Sequence, residues 1–193
     1  MRPAAFYSLR LLAGRTAALV VGAILSCWPS SGQPPLDAAT LKIQFLHYVA
    51  QYAIWPKDAL RPQDKQFVLG VLGENPFGDA LESYFRGKSV KSRTFVVRYF
   101  KTIDEVKACH MLFVSSSEKN NFADIVGKLE DIAVLTISDT DGFIQKNGMM
   151  FMFITGKSEI TGGLGWDINP QAMKKARLQI DPFFIERAHK PNR

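Results

Sequence analysis

The residues best suited to chemistry follow a short apolar run in the stretch CHMLFVSSSEKN, from Cys109 to Asn120. In α/β proteins, the loop between a buried strand and the next helix is a common place for ligands and nucleophiles. Two interpretations are open for the serines of this stretch. A serine could act as a nucleophile, or the loop could hold an anion. Alternatively, the S-x-x-E spacing of Ser115 and Glu118 forms a capping box at a helix start.

A serine nucleophile needs a base, and the sequence offers little support for one. The three histidines are His47, His110 and His189, and none lies in a recognisable triad context. The G-x-S-x-G turn of a nucleophile elbow is also absent from the sequence. We therefore favour a helix cap formed by Ser115 and Glu118 over a catalytic serine, and we predict no catalytic residue in this stretch.

Metal and phosphate sites have equally weak signals. Cys109 and His110 are neighbours on a predicted strand, so their side chains point to opposite faces and cannot easily share one metal ion. No C-x-x-C or H-x-x-x-H pair completes a zinc site. The glycine segments GENPFG and GGLG match neither phosphate-loop fingerprint. We predict a buried, structural Cys109, with no metal and no cofactor.

A candidate anion site lies near the end of the chain. Arg187 and His189 follow the last apolar helical turn, and Arg61, just beyond the first predicted helix, could join them. The alternative is a solvated C-terminal tail, which is where charges near a terminus are usually found. Both interpretations remain open from the sequence.

The first 32 residues have the layout of an export signal. Three arginines (Arg2, Arg10 and Arg15) and no acid precede an apolar run at residues 16–27, followed by small residues and prolines. The run is shorter than the roughly 20 apolar residues that a membrane span needs. We predict a signal peptide at residues 1–32, cleaved before Gln33. Lipidation of Cys27 within ILSC and an uncleaved anchor are the open alternatives.

The remaining chain is long enough for one domain with a substantial core, and we place that domain at residues 36–190. Without residues 1–32, 21 basic residues face 18 acidic ones, and the formal net charge falls from +6 to +3. The charges are mixed and form no basic block. Nucleic-acid binding is therefore not predicted.

Strand and helix patterns alternate along this domain. Helical spacing runs from Leu36 to the Trp55-Pro56 stop, and further helices are predicted at residues 75–87, 117–131, 169–181 and 182–189. Short apolar runs predict strands at residues 66–73, 93–100, 110–115 and 132–139, and residues 149–169 read as a hairpin that turns near Gly156. This order predicts a three-layer α/β/α fold with a mixed, mostly parallel sheet.

Taken in order, these segments resemble the YfiR-type family of periplasmic regulators. The resemblance rests on a first helix ending in WP, then VLGVLGENPFGDALE, CHMLFVSSSE, VLTISDTDGFIQKNGMMFMFI and WDINPQAMKKARLQID. It covers about Leu41 to Arg187. Two departures stand out: Asn147-Gly148-Met149 replaces a common Gly-Gly-Met, and the cysteines that form disulfides in some members are missing.

The resemblance implies a periplasmic negative regulator with no catalytic residues and no enzyme activity of its own. Such a regulator binds and inhibits an inner-membrane diguanylate cyclase, and so lowers cyclic di-GMP and biofilm formation. It also implies an OmpA-like outer-membrane lipoprotein that relieves inhibition, and a homodimer. A periplasmic small-molecule binder or sensor subunit, for an anion or nucleotide, is the rival hypothesis. A polar pocket near Arg61, Arg187 and His189 would favour that rival.

Overall fold

A computed structural model of the chain describes residues 37–106, 109–155 and 163–188. The expected signal peptide at residues 1–32 and Cys27 lie outside these ranges, so the export signal and the domain limits stay predictions. The predicted turn at Gly156 also lies outside them. Within the described ranges, no helix has the length and apolar content needed to cross a membrane.

The elements of the described chain follow the predicted alternation. The helices are α1 (Ala38–Tyr52), α2 (Ala80–Phe85), α3 (Phe122–Leu129), α4 (Pro170–Lys175) and α5 (Pro182–Arg187). The strands are β1 (Ala53–Ile54), β2 (Gln66–Leu72), β3 (Ser89–Val90), β4 (Arg93–Phe100), β5 (Met111–Val114), β6 (Leu135–Ser138), β7 (Met150–Ile154), β8 (Leu164–Ile168) and β9 (Gln179–Ile180). Short 3-10 helices occupy Ile103–Glu105, Ser116–Asn121 and Ile144–Lys146.

Seven strands form one mixed sheet in the order β3-β4-β2-β5-β6-β7-β8. The five inner strands run parallel, and β3 and β8 pair antiparallel at the two edges. The predicted α/β fold with a mostly parallel sheet is therefore confirmed. β1 and β9 form a separate antiparallel pair that the sequence patterns do not predict.

Helices cover both faces of this sheet because alternate strand residues point to opposite sides. The larger core lies under α1, α2, α4 and α5, where Leu46 and Val49 of α1 are fully buried. The smaller core lies under α3, whose Phe122 and Ile125 pack against Leu112 and Val114 of β5. These two cores make the three layers that the sequence predicts.

Three predicted helices differ from the structure at their ends. The helix expected at residues 117–131 starts as the 3-10 helix Ser116–Asn121 and continues as α3, Phe122–Leu129. The helix expected from residue 75 begins only at Ala80, because Asn75 Oδ1 accepts a 2.9 Å bond from the Phe77 amide and holds a turn there. The helix expected at residues 169–181 ends at Lys175, and Arg177 takes a left-handed conformation with φ of 56°. That reversal lets Gln179 and Ile180 pair with β1.

Candidate functional site

The serine stretch forms a junction between two loops. The Ser117 hydroxyl accepts a 2.9 Å hydrogen bond from the Glu74 amide, which links the loops that follow β5 and β2. Glu74 follows Gly73, whose φ is +87°, and a Cβ at Gly73 would overlap the Ser117 hydroxyl and lie 2.9 Å from Glu118 Cγ. The protein's own side chains therefore fill the space beside Gly73.

Ser115 lies at the predicted N-cap position, but the side-chain hydrogen bonds of the predicted capping box with Glu118 are not formed. Ser115 takes the extended backbone of an N-cap residue but makes no side-chain capping bond, and it is 2% exposed. The Glu118 carboxylate instead accepts a 3.0 Å hydrogen bond from Asn121. The segment begins as a 3-10 helix, whose amides are arranged differently from those of an α-helix start.

Cys109 is buried, as the sequence predicts, with 7% of its surface exposed. Its thiol lies 3.0 Å from the Met111 carbonyl oxygen, and burial raises the pKa of the Cys109 thiol to about 12. A thiol with such a pKa is a poor nucleophile and a poor metal ligand at neutral pH. Across residues 37–106, 109–155 and 163–188, no cluster of side chains could hold a metal ion.

His110 points to the opposite face and completes the hydrogen bonding of β2. The Val68 amide donates a 2.9 Å bond to His110 Nδ1, and the His110 amide donates a 3.0 Å bond to the Val68 carbonyl. Because Nδ1 accepts a hydrogen bond, the neutral ring carries its proton on Nε2. The ring also stacks on Phe67 with centroids 5.1 Å apart.

This geometry predicts a pH dependence of stability. Burial is the main cause that lowers the pKa of His110 below 6.5, and Arg93 adds to it, while Asp64 and the Ala59 backbone act in the opposite direction. Between the folded and unfolded pKa values of His110, the ring therefore binds a proton in the unfolded chain but not in the folded chain. His110 contributes stability that is fully present above its unfolded pKa and is lost as pH falls through the folded pKa.

We expect the unfolding midpoint of the protein to fall as the pH drops below about 6.5, and to fall less in His110→Asn. The His110→Asn variant is needed because burial also lowers the pKa of His47, which would contribute to the same loss of stability at low pH. Denaturant unfolding followed across this pH range measures the difference. Parallel pH profiles for the two proteins would show that His110 does not carry the effect.

The expected anion site is only partly described. Arg61 lies beside Asp64, with 3.4 Å between guanidinium and carboxylate, and its side chain is largely exposed. The Arg187 guanidinium lies over the Phe183 ring, 3.6 Å from the centroid. His189 is outside the described residues. A site formed by all three residues therefore stays a prediction.

A cavity of about 820 Å³ lies at the amino ends of β2, β5 and β6. Its charged lining residues are Asp58, Arg61, Asp64, Lys65 and Arg98, and its apolar lining residues are Val68, Val106, Cys109, Leu129, Ile132, Ala133 and Val134, with Ala59, Gln63, Gln66 and His110 completing the wall. Ligands of open α/β sheets usually bind at the opposite, carboxyl ends. Arg187 does not line this cavity.

Lys65 and Arg98 of the cavity lining are not predicted by any sequence motif. They lie 33 positions apart, and the register that pairs Gly70 of β2 with Arg98 of β4 brings Arg98 to the cavity. The available signal was Arg98 itself, a charged residue inside the otherwise apolar and aromatic run FVVRYF.

Exposed apolar side chains occur at the ends of α1, β1 and α5. We define the C-terminal patch as Tyr52, Phe183 and Arg187, whose rings and guanidinium are in contact. Phe183 is 41% exposed, and the same part of the chain carries Ile54 on β1 and Ile185 on α5, which are 49% and 45% exposed. The Tyr52 and Phe183 rings stack with centroids 5.9 Å apart. Exposed aromatic and arginine side chains of this kind are enriched at protein interfaces.

A comparison with protein families identifies the family of the chain. Residues 39–188 match the YfiR/HmsC-like family, and a comparison with curated proteins finds no match. The family is regulatory and periplasmic, and it is associated with cyclic di-GMP signalling. Because the match spans nearly all of the described residues, the protein belongs to the YfiR/HmsC-like family.

Proposed function

We propose that this protein inhibits an inner-membrane diguanylate cyclase by binding its periplasmic portion, and that it has no enzyme activity of its own. Membership of a regulatory, periplasmic family is the observation that carries the proposal. Binding must favour the inactive conformation of the cyclase, because a ligand with equal affinity for two states shifts neither. An OmpA-like outer-membrane lipoprotein would relieve inhibition by sequestering the protein.

The C-terminal patch supports direct binding. Its two stacked rings, Tyr52 and Phe183, stand beside the Arg187 guanidinium, which lies over the Phe183 ring. Such an arrangement supplies a flat aromatic surface and a fixed donor for a partner's carbonyl or carboxylate groups. We therefore assign the cyclase contact to this patch.

We expect Phe183→Asp to abolish inhibition of the cyclase while the protein stays folded and abundant. Ile154→Asp is the matched control, since Ile154 is 45% exposed but belongs to β7 and not to the patch. Cellular cyclic di-GMP should rise in cells carrying Phe183→Asp and stay low in cells carrying Ile154→Asp. Equal inhibition by both variants would move the contact to another surface.

A homodimer is also proposed, from the family resemblance. Light scattering of the purified protein at several concentrations would give its mass. A monomer at every concentration would remove the homodimer from the proposal. A dimer in which Phe183→Asp dissociates the two copies would assign the patch to self-association.

A second candidate function is the binding of a small anion, which the cavity at the amino ends of β2, β5 and β6 favours. Its volume, about 820 Å³, falls within the range of small-molecule sites in proteins. Both charged and apolar residues line it, as is common in such sites. This function could coexist with cyclase inhibition, because the cavity residues do not belong to the C-terminal patch.

A further inference from the structure

We infer that the cavity binds an organic carboxylate with an apolar body, held by Arg98 and Lys65. This inference deepens the second candidate function and is independent of the cyclase proposal. It rests on three features of the described residues: uncompensated positive charge, an apolar floor, and an exposed isoleucine at the mouth.

The cavity lining has more basic residues than acidic residues left to pair with them. Asp58 accepts a 2.8 Å bond from Arg177, and Asp64 lies beside Arg61, so both acids of the cavity lining already have partners. Among the ion pairs of the described residues, none involves Lys65 or Arg98. These two cations are therefore left to attract an anion into the cavity.

The floor of the cavity is apolar. Val68, Cys109, Leu129 and Val134 line it, and each is at most 7% exposed. All four belong to the smaller core beneath α3. The apolar lining that stays open to water comes mainly from Ile132, which is 51% exposed, and from the half-buried Val106, and a bare inorganic anion would not cover it. The lining therefore favours a ligand with an apolar body.

Arg98 and Ile132 define how such a ligand would be oriented. Arg98 is aligned with Gly70 of β2 and lines the cavity. The planar guanidinium can bind a carboxylate with two parallel hydrogen bonds. Ile132 lines the cavity yet is 51% exposed, and an apolar body in the cavity would cover it. The carboxylate is therefore assigned to Arg98 and the apolar body to the floor and Ile132.

Isothermal titration of the purified protein with decanoate tests the inference. We expect decanoate to bind. 1-Decanol should bind much more weakly because it lacks the carboxylate, and inorganic phosphate should bind much more weakly because it lacks the apolar body. Arg98→Gln should weaken decanoate binding by roughly tenfold or more, the usual effect of losing a charge-assisted hydrogen bond. Arg86→Gln, an exposed arginine at the end of α2 outside the cavity lining, should leave the affinity unchanged.

Thermal unfolding should show that both variants are as stable as the wild-type protein. If 1-decanol or phosphate binds as tightly as decanoate, the assigned ligand class is wrong. If Arg98→Gln does not weaken decanoate binding, Arg98 does not hold the carboxylate and the inference fails. If none of the three probes binds, both the inference and the second candidate function fail. Neither result bears on cyclase inhibition.

Discussion

Trp166→Ala is expected to lower the free energy of unfolding by about 3–5 kcal/mol, a large share of the stability of an ordinary domain. Trp166 lies on β8 and is 4% exposed. Its ring packs against Phe45 of α1 at 5.3 Å and Phe184 of α5 at 5.1 Å between centroids. Its indole N–H donates a 3.1 Å hydrogen bond to the Phe184 carbonyl. Alanine would remove all of these contacts at once.

Trp166→Phe separates the effect of ring packing from the effect of the indole hydrogen bond. It keeps an aromatic ring in the cluster and loses the hydrogen bond, so we expect a cost of about 1–2 kcal/mol. Denaturant unfolding of the three proteins gives both values. Because Phe184 anchors α5, Trp166→Ala should also loosen the C-terminal patch. An alanine variant within about 1 kcal/mol of the wild type would mean that this cluster does not anchor α5.

Gly148→Ala is expected to destabilise the protein by about 1–3 kcal/mol through overpacking. A Cβ at Gly148 would overlap the Phe143 ring, which is fully buried and packs edge-on against Phe122 with centroids 4.9 Å apart. The ring cannot easily move away, because the Gly148 amide also donates a 2.9 Å bond to the Phe143 carbonyl. The clash must therefore strain either the loop or the smaller core.

A double-mutant cycle with Phe143→Leu tests this cause. The double variant should be less destabilised than the sum of the single variants, because the smaller side chain makes room for the new methyl group. Gly127→Ala is the control: Gly127 lies within α3, its Cβ position has open space, and alanine should stabilise the helix by roughly 0.5–1 kcal/mol. Additive effects of Gly148→Ala and Phe143→Leu would contradict the proposed clash.

The loop before β7 explains a departure from the sequence that is common in the family. Asn147 replaces a glycine that is common there, and it adopts a left-handed conformation with φ of 65°. Asparagine is one of the few residues with a side chain that takes this conformation at low cost. The second glycine is retained as Gly148, where the Phe143 ring leaves no room for a Cβ.

The elements with strong periodic patterns were predictable from the sequence. α1 follows the apolar spacing that ends at Trp55, and β2, β4, β5, β6 and β7 follow the short apolar runs. The pair of β1 and β9 was not predictable. Strands of two residues are too short to show an alternating pattern, and the partners Ala53 and Ile180 lie far apart in the sequence. Similarly, the S-x-x-E spacing cannot reveal that Ser116–Asn121 forms a 3-10 helix.

The candidate sites were less predictable than the fold. Burial of Cys109 follows from its apolar strand, and the sequence analysis predicts it. The cavity, in contrast, depends on the register between β2 and β4 and on which acids are already paired. These are properties of the folded sheet, and no local motif encodes them. The C-terminal patch depends likewise on how α5 packs against α1.

Cyclic di-GMP measured in single and double deletion strains tests the central proposal most directly. Deleting the gene for this protein should raise cellular cyclic di-GMP and promote surface attachment. Deleting the partner cyclase as well should abolish that rise, because the protein would then have no target to inhibit. If cyclic di-GMP stays high in a strain without any periplasm-facing cyclase, the proposed inhibition is contradicted.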